Sequence, residues 1–208
     1  MENKREDYAD RHKEKEYMES MVKDLEVDIK SIPESIEQNE QQMKGIDSLL
    51  ALFKDPIDDN KPSNEMVVLI TEYLNEGSSF SDRNTTISQL KSSGNFRFIQ
   101  NKIVADSIIS YYEENEGHKV QADINMQNVQ GILNLEVEIF NFNATKLSSL
   151  YDVSAKKDKL IELGNRTLFY KALLRAEVEW MEEIKKQAEN LLILLKKEYN
   201  ISDEEPKK

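Results

Sequence analysis

The sequence predicts an all-α protein, an antiparallel up-down helical bundle with two or three long helices and short connecting helices. Three observations predict it. Glycine (6) and proline (4) are rare among 208 residues, so the chain has few turn-makers. Lys and Glu, both good helix formers, are abundant. Apolar residues recur four and three apart over long stretches, the period of a helix with one buried stripe.

The first element is the most regular. Met18, Val22, Leu25, Ile29, Ile32, Ile36, Asn39, Met43, Ile46, Leu50 and Phe53 form a heptad pattern with one polar member, Asn39. A helix over 18–53 would be roughly 54 Å long at about 1.5 Å per residue. Pro33 lies inside it, and Ser31 and Glu34 have the spacing of a capping box that would start a second helix. The apolar register nevertheless passes through Pro33 without a slip, which favours one kinked helix.

The stretch 55–64, with Pro56 and Pro62, reads as a loop. Ser63 or Asn64 can cap a short helix over 65–75 that Gly77 ends. Thr86 and Gln89 have capping-box spacing and predict another short helix carrying Ile87 and Leu90. Gly94 closes it in a left-handed conformation. Phe96, Phe98 and Ile99 then crowd a connection, as residues that plug the end of a core do.

From about Asn101 a long helix carries Val104, Ile108, Tyr111, Asn115, His118, Ala122, Asn125, Val129, Ile132, Glu136 and Ile139 in one register. Its polar middle contains Gly117, so it either breaks there or faces solvent at that level. The stretch 141–155 reads as irregular. A short helix over 156–163 closes at Gly164, and Asn165 caps a last helix to about Tyr199 with Leu174, Val178, Met181, Ile184, Ala188, Leu191 and Leu195 inward. Within it, Leu191–Leu195 is apolar on several sides, which predicts central burial first and a dimer seam second. The organisation expected is a charged helical stalk over 1–17, a bundle over 18–200 and a frayed tail over 201–208.

Charge and composition exclude several function classes. The net charge of −12 opposes nucleic acid and anionic lipid, and the basic residues near the N-terminus are interleaved with acidic ones. No cysteine exists, so thiolate chemistry is excluded. There is no run of ~18–20 apolar residues that would span a bilayer. The two histidines, His12 and His118, lack the Glu-x-x-His spacing of carboxylate-bridged metal bundles: Ala9 and Asn115 stand three residues before them. No glycine-rich phosphate loop follows a strand. The sequence therefore names no catalytic residue, no cofactor and no metal.

The candidate pocket or interface residues are Tyr111, Tyr112 and Trp180, with Phe140 and Phe142 a further aromatic pair; such aromatics are more often core or interface residues than pocket lining. The carboxylates Glu113, Glu114, Glu116, Glu177, Glu179, Glu182 and Glu183 read as solvated helix faces.

Two stretches carry a resemblance. They are Asn3-Lys-Arg-Glu with His12-Lys-Glu-Lys-Glu-Tyr-Met-Glu, and Ile87-Ser-Gln-Leu-Lys-Ser-Ser-Gly-Asn-Phe-Arg-Phe-Ile-Gln-Asn-Lys102 followed by Tyr111-Tyr112. Together they resemble a family of uncharacterised bacterial single-pass membrane proteins, in which a basic segment and one membrane helix precede a charged stalk and a helical domain. This sequence departs from that pattern in having no membrane helix. Either an anchor lies outside these residues or this member is soluble; the first implies, by the positive-inside rule, a helical domain in the periplasm. The resemblance implies no catalytic residue.

The functional expectation is a non-enzymatic, extracytoplasmic interaction or sensory module. Its partner would be a second copy or another protein bound through helical faces. The alternatives are a small-molecule-binding bundle and a hydrolase using buried carboxylates.

Overall fold

The structure, a computed structural model, describes residues 2–53, 64–74, 80–140 and 157–202. The loop expected at 55–63, the helix end at Gly77, the stretch 141–155 with Phe142, and the tail from 203 lie outside the described residues. Among the described residues the elements are α1 (Glu2–Leu52), α2 (Asn64–Tyr73), α3 (Thr85–Ser92), a 3-10 turn (Asn95–Phe98), α4 (Lys102–Ile139) and α5 (Lys157–Tyr199), with no strand. The protein is an all-α helical bundle. None of these helices is long and apolar enough to cross a membrane.

The chain divides into two compact units. The first comprises Met1–Glu34, Phe80–His118 and Met181–Lys208; the second comprises Ser35–Ser79 and Lys119–Trp180.

Helix α1 runs through Pro33 as one element. The proline is exposed, and the Ser31 hydroxyl donates to the Asp28 carbonyl at 3.1 Å instead of capping a second helix. The buried stripe of α1 differs in part from the apolar heptad. Met18, Val22, Leu25, Ile32, Asn39 and Ile46 are buried as expected, but the flank that completes the seam is Met21, Asp28, Gln42 and Leu49, while Ile29, Ile36, Met43 and Leu50 are half-buried. The seam therefore accepts two polar residues in preference to four apolar ones.

The register of α4 holds at its two ends, whereas in the middle Ala122, Asn125 and Val129 are only half-buried and Asn128 is buried instead; the helix is continuous through Gly117, which is exposed. Asn101 caps it, its Oδ1 accepting from the amides of Ile103 at 2.9 Å and Val104 at 3.4 Å. The middle is not uniformly solvated: Asn115 and His118 are buried.

The break expected at Gly164–Asn165 does not occur; α5 is one helix. Leu160, Leu163, Thr167, Tyr170 and Leu174 keep a buried register across it, and a Cβ at Gly164 would meet the Phe53 ring at ordinary van der Waals distance. Burial on both sides of a glycine outweighs its propensity cost of ~1 kcal/mol. All seven predicted inward residues of α5 are buried. The Leu191–Leu195 run is buried only at its ends, with Ile193 exposed.

In the second unit, Ile46, Leu49, Met66, Ile70, Leu74, Ile132, Leu135, Ile139, Phe140, Leu160, Leu163, Tyr170 and Leu174 form one apolar cluster. Helix α2 seats on α1 here: a Cβ at Gly45 would collide with the Tyr73 ring, so only glycine permits that approach.

In the first unit, the strap Phe80–Asn101 lies against α1. Phe80, Ile87, Leu90 and Ile99 bury their side chains, whereas Phe96 and Phe98 are only half-buried and so close the core less than their size suggests. Gly94 adopts φ 68° after α3, the left-handed conformation expected of it.

Candidate functional site

The strap is held to α1 by a row of polar side chains on that helix. Asp28 accepts from the Arg83 amide at 2.9 Å. Asp24 accepts from the Thr86 amide at 3.1 Å and the Thr86 hydroxyl at 2.6 Å. The Tyr17 hydroxyl accepts from Asn95 Nδ2 at 2.8 Å, and Glu14 accepts from the Gln100 amide at 3.0 Å. Contacts that descend α1 from 28 to 14 thus climb the strap from 83 to 100. The strap runs antiparallel to α1, and this return lets α4 start beside α1 in the same direction. Helix α5 runs the opposite way, with the Tyr199 hydroxyl donating to Glu14 at 2.7 Å and Asn101 to Glu198 at 2.9 Å.

This arrangement corrects the cap predicted for α3. Thr86 does not cap its own helix. The N-cap residue is Asn84, without a side-chain cap bond. The carboxylate of Asp24 takes the Thr86 amide and hydroxyl instead, because an anion is a stronger acceptor at a helix N-terminus than a local hydroxyl.

At the upper end of the row the tyrosines predicted as candidates meet Asp28. The Tyr111 hydroxyl donates to Asp28 Oδ2 at 2.8 Å, and the Tyr112 hydroxyl donates to the Arg83 carbonyl at 3.3 Å. Their rings meet edge-on, with centroids 5.0 Å apart. Asp28 is wholly buried. Burial pushes its carboxyl up to about 6; the Arg83 amide and Tyr111 hydroxyl oppose that shift, and the nearby Asp82 and Asp24 charges add to it. Burial, then the Asp28 charge, raises Tyr111 well above the ordinary tyrosine range; burial, then Asp24 and Asp28, does the same to Tyr112. Both hydroxyls are therefore protonated donors at any physiological pH.

Trp180 is half-buried and belongs to the second unit, so it is not part of this constellation. That unit has its own polar centre. Gln42 Nε2 donates to the Tyr73 carbonyl at 2.9 Å and to the Tyr170 hydroxyl at 3.2 Å. Nearby, Asn125 Nδ2 donates to Glu177 at 3.4 Å. Glu177 is buried, contrary to its expected place on a solvated face; Glu113, Glu114, Glu116, Glu179, Glu182 and Glu183 are exposed as expected. Asn39 is wholly buried with neither amide atom hydrogen-bonded among the described residues.

Sequence reasoning missed Asp24, Asp28 and Gln42 because it looked for apolar residues at seam positions. The available signal was spacing: Met21, Asp28, Ser35, Gln42 and Leu49 stand seven apart.

Of the histidines, His118 is buried and His12 is exposed, 3.5 Å from Glu16. Among the described residues no group of three or more His, Asp or Glu is placed to hold a metal ion.

An open groove of about 460 Å³ lies between α4 and α5 in the first unit, bordered by Asp106, Ser110, Tyr111, Asn190, Leu191 and Leu194.

No family model matches the chain, and no curated protein or solved structure matches it either.

Proposed function

We propose that this chain is a non-enzymatic helical module that works through protein contacts or relays a signal along its helices. The observation that carries the reading is the continuity of α1, α4 and α5, at 51, 38 and 43 residues, through Pro33, Gly117 and Gly164. A helix that keeps its hydrogen-bonded ladder past such residues transmits a rotation or translation without absorbing it. The carboxylates facing the strap favour the same reading: the buried Asp28 and Glu14 and the half-buried Asp24 direct oxygens at backbone amides, a positioning task.

The sequence resemblance adds a membrane anchor preceding α1 and a periplasmic location to the proposal. Contact through helical faces is supported by exposed apolar side chains on α5, among them Ile161, Leu168, Phe169 and Ile193. Sedimentation of the purified protein from micromolar to near-millimolar concentration tests self-contact. A concentration-dependent dimer is expected, and a strict monomer throughout would remove the second copy as partner.

The groove beside Tyr111 favours one second reading, the binding of a small polar–apolar molecule, since its volume falls in the usual range of roughly 300–1,000 Å³. A thermal-shift screen of small metabolites checks it; a Tm increase lost in Leu194→Arg is the expected signature, and no shift from any compound would end this reading.

A further inference from the structure

We propose that Asp28 is a proton-operated clasp: gaining a proton tightens the strap 80–101 onto α1, and losing it loosens the strap. The inference deepens the sensory reading above by naming a stimulus, and it rests on that reading only for its biological purpose.

The geometry supplies each part. Asp28 is wholly buried, and its two oxygens accept from one backbone amide on the strap and one tyrosine hydroxyl on α4. Both donors are neutral. The other charged or titratable groups that face it are Asp24 on its own helix, Asp82 beside Arg83 on the strap, and Tyr111 and Tyr112 on α4. The buried positions of α5 in this unit, Met181, Ile184, Ala188, Leu191 and Leu195, are apolar. Ionised Asp28 is therefore a buried anion among other carboxylates with no ion pair among the described residues, a state that burial strongly disfavours.

Protonation removes that charge and keeps the architecture. The carbonyl oxygen of the neutral acid still accepts from Arg83, and the bond to Tyr111 reverses: the acid proton is donated to the tyrosine oxygen, whose own O–H turns away from Asp28. The sign follows directly. Asp28 holds its proton more tightly with the strap closed than with it open, where an ordinary carboxyl pKa applies. Stability from this group is therefore complete below the ordinary value and is lost as pH rises through about 6. Acidification from pH 7.5 to 5 should tighten the strap about tenfold, the ratio that carboxyl pKa values of about 6 closed and 3.8 open give. This runs against the usual acid weakening of carboxylate-capped structure.

Hydrogen exchange of the full chain read by mass spectrometry, corrected for the intrinsic pH dependence of exchange, tests the clasp. Protection of the peptides covering 83–100 should rise about tenfold from pH 7.5 to 5, while peptides of α2 stay constant. Asp28→Asn should hold the strap at its acid level at both pH values. Strap protection that is flat or falls on acidification, or an Asp28→Asn protein with the same rise, would overturn the proposal. If the variant does not fold, carbon NMR of the Asp28 carboxyl in the unaltered protein decides: a midpoint near 6 supports the clasp and one near 4 removes it. Neither readout involves a partner, so the clasp and the interaction reading fail separately.

Discussion

The two units solve one problem with opposite chemistry. Asp28 and Gln42 occupy the same heptad position of α1, two repeats apart, and each reaches one tyrosine hydroxyl and one backbone group of a short connecting element. Asp28 accepts twice, whereas Gln42 donates twice. The difference lies in which end of a short helix each meets. Arg83 leads into the N-terminus of α3, where backbone amides lack partners, so a carboxylate fits. Tyr73 is the last residue of α2, where carbonyls lack partners, so a carboxamide donor fits. Choosing the acid has a consequence that choosing the amide avoids: it places a titratable group in a core.

Exchanging the chemistry is the strongest way to break the comparison. Gln42→Glu turns a donor toward the Tyr73 carbonyl into a buried anion facing it, with the Glu177 charge already felt at its other partner, Tyr170. A loss of about 3–5 kcal/mol at pH 7 is expected in urea unfolding, partly recovered at pH 5 as the new carboxyl takes a proton. An unchanged midpoint would mean that the Gln42 contacts carry no stability.

The reverse exchange, Asp28→Asn, is the milder one. Beyond its effect on the strap, it should leave global stability at pH 7 equal or higher, since it removes a buried charge and keeps an acceptor for Arg83. A large loss would mean that the ionised form is the one the fold requires.

Asn39 sharpens the contrast from a third position. It lies on the same seam, yet neither amide atom has a partner among the described residues. Leucine has the same branching without the polar atoms. Asn39→Leu should raise the unfolding free energy by about 1–3 kcal/mol, the cost of an unsatisfied buried amide. A lower midpoint would show that this amide is satisfied in solution. A stabilised variant of altered oligomeric state would show that the asparagine fixes register at a cost in stability.

Much of this was legible in the residues. The α5 register, the two ends of the α4 register, the part of the α1 seam formed by Met18, Val22, Leu25, Ile32, Asn39 and Ile46, and the αL turn at Gly94 follow from short-range pattern and local backbone chemistry. Tyr111 stood out at an inward position and Tyr112 as its aromatic neighbour, although their task, donating to the buried Asp28 carboxylate and to a strap carbonyl, did not. Trp180 stood out for its size, and the structure places it in the other unit.

What the sequence determined alone is therefore the helical period: which residues prefer a helix and where an apolar stripe runs. The tertiary structure decided which flank of α1 closes the seam, the passage of α5 through Gly164, and the use of Asp24 in place of a local cap for α3. The reason is one of range. Apolar periodicity is fixed by neighbours three and four residues away. A polar side chain is buried only when donors or acceptors arrive from elsewhere in the chain. Arg83 lies 55 residues from Asp28, and Tyr170 lies 128 residues from Gln42. No local pattern contains those partners.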